Sequence, residues 1–133
     1  MVIAIIALVT GLLLPPLKRG FDRLQTRAAA QATLQAFFTA RANAIAQGRR
    51  TAVVLDGARA RVLVTAGGDT LLARAIGVEH GVTMVASRES MTFFPDGLGL
   101  GGANLSVVVR RGDAADTVVV SREGRAKLGT RAR

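Results

Sequence analysis

The sequence predicts an α+β chain: a long N-terminal apolar/amphipathic helix packed on a small antiparallel β-sheet or sandwich. Three observations predict it. Met1 to Leu14 (MVIAIIALVTGLLL) carries no charge. An Ala-rich stretch with helical spacing follows and runs to Gly48. From Thr51 on, short apolar bursts alternate with Asp-Gly and Gly-Gly pairs, the punctuation of hairpins. A run of strands after a run of helix argues α+β.

The apolar run comes first. Val2, Ile3, Ile5, Ile6, Leu8, Val9, Leu12, Leu13 and Leu14 leave no polar stripe, as a buried core helix would have. A cleavable signal needs a basic start and a small-residue cleavage site, and neither is present. The reading that fits is a membrane anchor over residues 1–17. Spanning takes about 20 residues, so the anchor is expected to begin upstream of Met1. Lys18, Arg19, Arg23 and Arg27 follow the run, which the positive-inside rule alone would place in the cytoplasm. Basic residues upstream would reverse that orientation.

Pro15-Pro16 removes two backbone donors, so a kink or short break is expected there, with Gly20 as a second weak point. The amphipathic half follows over residues 18–48. Phe21, Leu24, Ala28, Leu34, Phe38 and Ile45 recur at roughly helical spacing and read as its packed face. Asp22 is its lone acid. Gly48 is the expected stop.

Residues 49–133 form the globular β-rich part. Strands are expected at Thr51 to Asp56, Arg59 to Thr65, Thr70 to Ile76, Val82 to Ala86, Met91 to Phe94, Leu105 to Arg110, Thr117 to Arg122 and Arg125 to Leu128. Alternation is lost in Val107–Val109 and Val118–Val120, the pattern of strands covered on both faces. Arg110 to Asp116 reads as a polar hairpin between them. Pro95-Asp96-Gly97 is turn chemistry, with Gly97 at positive φ. The Gly-rich stretch from Gly97 to Gly102 lacks the Lys-Ser/Thr ending of a phosphate loop. Arg131-Ala132-Arg133 reads as a mobile basic tail.

Chemistry-bearing constellations are few. There is no cysteine and one histidine, His80, read as an exposed loop residue. A zinc site, a nucleophile elbow and a calcium loop all lack their residues. No catalytic residue, metal site, cofactor or small-molecule substrate is expected. The net charge of +9, carried almost wholly by Arg, favours anionic partners. Arg110, Arg111, Arg122, Arg125, Lys127, Arg131 and Arg133 make the C-terminal strands basic. Without interleaved aromatics, only nonspecific phosphate contact is supported.

Taken together these pieces resemble the GspH/FimT group of minor pseudopilins, relatives of type IV pilins. MVIAIIALVTGLLLP resembles the later part of a prepilin N-terminal helix. Ala40-Arg41-Ala42-Asn43-Ala44-Ile45-Ala46-Gln47-Gly48 resembles the group's helix end. Met91-Thr92-Phe93-Phe94-Pro95-Asp96-Gly97 resembles its strand-and-turn, and Val118-Val119-Val120-Ser121-Arg122-Glu123-Gly124-Arg125 its terminal strand. The order and spacing carry the resemblance more than any one motif. The group's leader, cleavage site and assembly glutamate are not in this sequence, which opens inside the helix.

The resemblance implies a pilin-like fold and a single-pass protein of the bacterial inner membrane, its globular domain in the periplasm. The implied role is structural, in the assembly of a type II secretion pseudopilus or type IV pilus and in protein export. The implied partners are other pseudopilins or pilins, the membrane and the inner-membrane assembly platform. The alternative is a DNA-binding minor pilin acting in DNA uptake through Gly124-Arg125-Ala126-Lys127. There Lys127 stands where the group's motif has Arg and lacks its planar fork.

Overall fold

The computed structural model describes residues 1–100 and 104–129. One helix, α1 (Val2–Gln47), leads into a β domain. The break expected at Pro15-Pro16 is absent: α1 is helical through both prolines and through Gly20. The two prolines deprive only the carbonyls of Gly11 and Leu12 of their partners, and helix propagated from both sides carries the chain across. Gly48, at φ +61, ends the helix.

The strands form two antiparallel sheets. The first holds β1 (Thr51–Asp56), β2 (Arg61–Ala66), β3 (Asp69–Arg74), β5 (Ser90–Phe93) and β6 (Gly99–Leu100), in the order β3-β2-β1-β5-β6. The second holds β4 (Thr83–Ala86), β7 (Leu105–Arg111), β8 (Ala114–Val120) and β9 (Ala126–Leu128), in the order β4-β7-β8-β9. The strand expected at Thr70 to Ile76 stops at Arg74, and a short helix α2 (Ile76–His80) follows. Ile76 is fully buried and starts that helix rather than ending the strand.

The C-terminal part of α1 lies across both sheets. Its buried face is Thr26, Ala29, Ala30, Thr33, Ala36, Phe37, Ala40 and Ala44, spaced three and four apart. This corrects the face expected from the bulky residues. Leu24 is 68% exposed, Ile45 52% and Phe38 45%. Small side chains let the sheets approach the helix closely, so alanine does the packing. The buried threonines satisfy their hydroxyls on the turn before, Thr26 Oγ1 donating to Asp22 O at 2.7 Å and Thr33 Oγ1 to Ala29 O at 2.9 Å. Phe37 is the large side chain on this face, almost fully buried, and meets Phe93 edge-on, ring centroids 6.5 Å apart.

β7 and β8 are covered on one face only, contrary to the pattern read from the sequence. Val107, Val109, Val118 and Val120 are buried, while Val108 and Val119 on the other face are half-exposed. Val118 and Val120 share the inner face because side chains alternate along a strand. Valine on the outer face serves strand propensity rather than core.

Candidate functional site

Among the described residues, nothing buries the N-terminal part of α1. Val2, Ile3, Ile5, Ile6, Leu8, Val9, Leu12, Leu13 and Leu14 are all exposed, as is Leu17. By length and composition this helix can cross a membrane, and its most apolar stretch is wholly unburied. The exposure of bulky residues does not end there. Leu24, Phe38 and Ile45 are exposed along the part of α1 that carries the domain, interspersed with exposed Arg27, Gln31 and Gln35. A run of apolar side chains this long calls for a covering surface.

The Pro95-Asp96-Gly97 segment is a tight turn. Gly97 N donates to Phe94 O at 2.9 Å, Phe94 N to Leu98 O at 2.9 Å, and Leu98 N to Asp96 Oδ1 at 3.0 Å. Gly97 has φ +83. Arg41 of α1 reaches the turn, its Nε donating to Gly97 O at 3.0 Å. Gly124, at φ +82, lies against the same carbonyl so closely that a Cβ there would overlap it. The helix, this turn and the turn before β9 thus meet at one point. Gly101 and Gly102 lie outside the described residues.

The structure divides the basic residues. Arg110, Arg122, Arg125 and Lys127 are exposed. Arg110 stands opposite Ala115 and Lys127 opposite Val119, four residues apart along β8, which is about 14 Å at strand rise. Arg125 and Lys127 are two apart and exposed on either side of half-buried Ala126. Arg122 sits in the turn before them. Arg111 does not join this group. Its Nε donates to Asp22 Oδ1 at 2.9 Å, its Nη1 to His80 O at 2.7 Å, and its guanidinium stands 5.0 Å from the Phe21 ring centroid. Arg131 and Arg133 lie outside the described residues.

Arg111 is therefore a clamp between the second sheet, α1 and α2, which residue type alone did not reveal. Nothing local in the sequence links Asp22 to a residue so distant. His80 is also corrected: it is a half-buried residue at the end of α2, its Nδ1 3.0 Å from Gln25 Oε1. The Gly81 turn and the α1 contact draw it in. At the other end of α2's surroundings, Arg74 Nη2 donates to Glu79 Oε2 at 2.5 Å. That hydrogen bond holds the Glu79 carboxyl below the usual carboxylate range, against the opposing pull of desolvation.

A cleft of about 530 Å³ opens between β1 and β4 and is lined by Leu55, Asp56, Met84, Arg88 and Glu89 among others. It gathers no nucleophile and base. Among the described residues no three His, Cys, Asp or Glu side chains come together to hold a metal ion.

The family described as type II transport protein GspH matches residues 29–124, from the buried stripe of α1 to the turn before β9. This chain belongs to the GspH family. Among solved structures, its fold is similar to the type IV minor pilin FimU of Pseudomonas aeruginosa, with TM-score 0.68 and 18% identity over 82% of this chain and 91% of that one. It is also similar to the minor pseudopilin EpsH of the type II secretion system of Vibrio cholerae, with TM-score 0.64 and 10% identity over 84% of this chain and 97% of that one. A second EpsH structure matches with TM-score 0.62 and 12% identity over 78% of this chain and 95% of that one. No curated protein matches the sequence. At such identities the structural likenesses speak for the pilin-like α+β fold, and the GspH match for the family.

Proposed function

We propose that this GspH-family chain is a structural minor pseudopilin and not an enzyme. Residues 1–17 anchor it in the bacterial inner membrane, residues 18–48 carry the domain on the rest of the helix, and residues 49–133 form the periplasmic globular part. It enters a type II secretion pseudopilus or a type IV pilus beside other pilin-like subunits. It meets the inner-membrane assembly platform on the way and acts in filament assembly and protein export. The observation that carries this reading is the unburied apolar run at the start of α1. It covers Val2 to Leu17, and Leu24, Phe38 and Ile45 stand exposed farther along the helix, with Arg27, Gln31 and Gln35 between them. Such a run fits lipid first and neighbouring helices afterwards.

Fractionation of cells expressing the full chain, and of cells expressing the chain without residues 1–17, tests the anchor. The full chain is expected in the membrane fraction and the truncated one outside it. A full chain that stays soluble and monodisperse without detergent rejects the anchor.

A second reading, a minor pilin that binds DNA, is favoured by one arrangement: Arg125 and Lys127 are both exposed along the edge of the second sheet, with Arg122 beside them. Such a pair suits a phosphate backbone and carries no base information.

A further inference from the structure

Where α1 leaves its apolar segment, it meets the β7–β8 hairpin. Arg19, Asp22, Arg23, Asp113 and Ala114 line a cleft of about 240 Å³ there. Arg19, Asp22 and Arg23 are three and four residues apart and share a helix face. Leu17, the last residue of the apolar stretch, lies only two positions before Arg19, about 3 Å along the axis. If the apolar stretch lies in the bilayer, the cleft lies at headgroup level.

The cleft is built. Gly112, at φ +56, turns the hairpin directly over the helix, and a Cβ there would fall 2.7 Å from Asp22 Oδ2. Arg111, just before it, locks the turn down through Asp22 Oδ1. The same bond pairs Asp22 with a counter-charge. What faces the cleft is then two exposed guanidinium groups on the helix side and one exposed carboxylate, Asp113, on the hairpin side. Neither Arg19 nor Arg23 forms an ion pair among the described residues; the nearby acid Asp116 is matched with Arg27 at 4.0 Å.

We propose that this cleft binds the headgroup of a zwitterionic phospholipid bearing a primary ammonium, that is, a phosphatidylethanolamine. The inference rests on the membrane reading above. The phosphate lies on Arg19 and Arg23, whose planar forks suit its oxygens. The ammonium donates to Asp113. A choline headgroup offers Asp113 no N–H, and a glycerol headgroup offers it no positive charge. Two cations alone would select anionic lipid; the carboxylate on the hairpin side of the cleft shifts the choice to a headgroup with both charges.

The test uses the full chain in lipid nanodiscs holding equal amounts of phosphatidylethanolamine, phosphatidylcholine and phosphatidylglycerol. Lipid retained on the protein is read by native mass spectrometry. Wild type is expected to retain phosphatidylethanolamine about tenfold over the other two, the worth of one hydrogen bond between charged groups. Arg19→Gln/Arg23→Gln loses the retention, and Asp113→Asn loses the preference over phosphatidylglycerol. All three positions are exposed, so unchanged melting of the variants is the folding control. Equal retention of the three lipids, a preference for phosphatidylglycerol, or retention that survives the double replacement overturns the site while leaving the anchor standing. A chain that does not enter the nanodiscs at all overturns the membrane reading and the site with it.

Discussion

Asp22 and Arg111 are 89 positions apart in the chain, yet Arg111 Nε donates to Asp22 Oδ1 at 2.9 Å. The bond ties the end of β7 to the helix at the level where α1 begins to carry the domain. Asp22 is nearly buried, whereas Arg111 keeps part of its side chain in water and two further partners, His80 O and the Phe21 ring. The two ends of the pair should therefore respond differently to removal.

Arg111→Met is expected to destabilise the chain by about 3 kcal/mol, because it strips a nearly buried carboxylate of its counter-charge. Asp22→Asn is expected to cost less, about 1–2 kcal/mol, since the arginine retains its other contacts. The double variant should lose less than the sum. Denaturant melts of the full chain in detergent measure all three. Additive losses would mean that the two residues do not act together.

The Gly97–Gly124–Arg41 junction gives a comparison of two glycines. Gly68 and Gly124 both have positive φ, but a Cβ at Gly68 meets open space while one at Gly124 meets the Gly97 carbonyl. Gly68→Ala should cost about 1 kcal/mol, the backbone strain alone. Gly124→Ala should cost clearly more, with the added collision and the loosened Arg41 bond. Equal costs would show that close approach at Gly124 is not what selects glycine.

The pH dependence near α2 follows from Glu79. Its folded pKa lies below the ordinary carboxylate value because Arg74 hydrogen-bonds its ionised form. The resulting stability is fully present above the unfolded-state carboxylate pKa and is lost as pH falls through the lower folded one. Both side chains are about one-third exposed, at 36% and 37%, so screening holds the gain to about 0.2–1 kcal/mol. Glu79→Gln should lower the melting temperature slightly at neutral pH and converge with wild type in acid. A difference that stays constant down to acid pH would contradict the ion pair.

Much of the fold was legible in the sequence. The Ala-rich tract could only be helix, and Asp56-Gly57 and Gly67-Gly68 marked hairpins that do form between β1, β2 and β3. The face of the helix was not legible. A periodicity count gives weight to Phe21, Leu24, Phe38 and Ile45, but a sheet lying close against a helix leaves room mainly for Ala and Thr. On the proposed function, neighbouring subunits cover these bulky residues, and a single sequence carries no trace of that. Nor could the fate of Arg111 be read: it is one arginine of a basic run, and its partner is set by how the hairpin folds back on α1. Short elements such as α2 and β6 carry too few residues for a period to emerge.

The DNA reading makes its own prediction. If Arg125 and Lys127 track a phosphate backbone, binding should be indifferent to sequence and fall steeply with salt. Replacing both with Ala should flatten the salt slope by about two contacts. Anisotropy titrations at two salt concentrations measure it. Absence of binding at low salt rejects the DNA reading and leaves the structural one. Binding that survives the replacement moves the site, with Arg41, Arg49 and Arg50 at the helix end next in line.

In the proposed filament the outer face of α1 packs against neighbouring subunits. The sequence contains no cysteine, so single cysteines report without background. The direct measurement is oxidative cross-linking in cells that assemble the filament, with cysteine introduced at Leu24, Phe38 or Ile45 on the outer face and at Ala36 on the buried face. Partner pilin-like subunits carry cysteines at matching helix positions. Cross-linked species are expected from the three outer positions and none from Ala36. Outer positions that never cross-link, in cells whose filaments contain the protein, would contradict that packing.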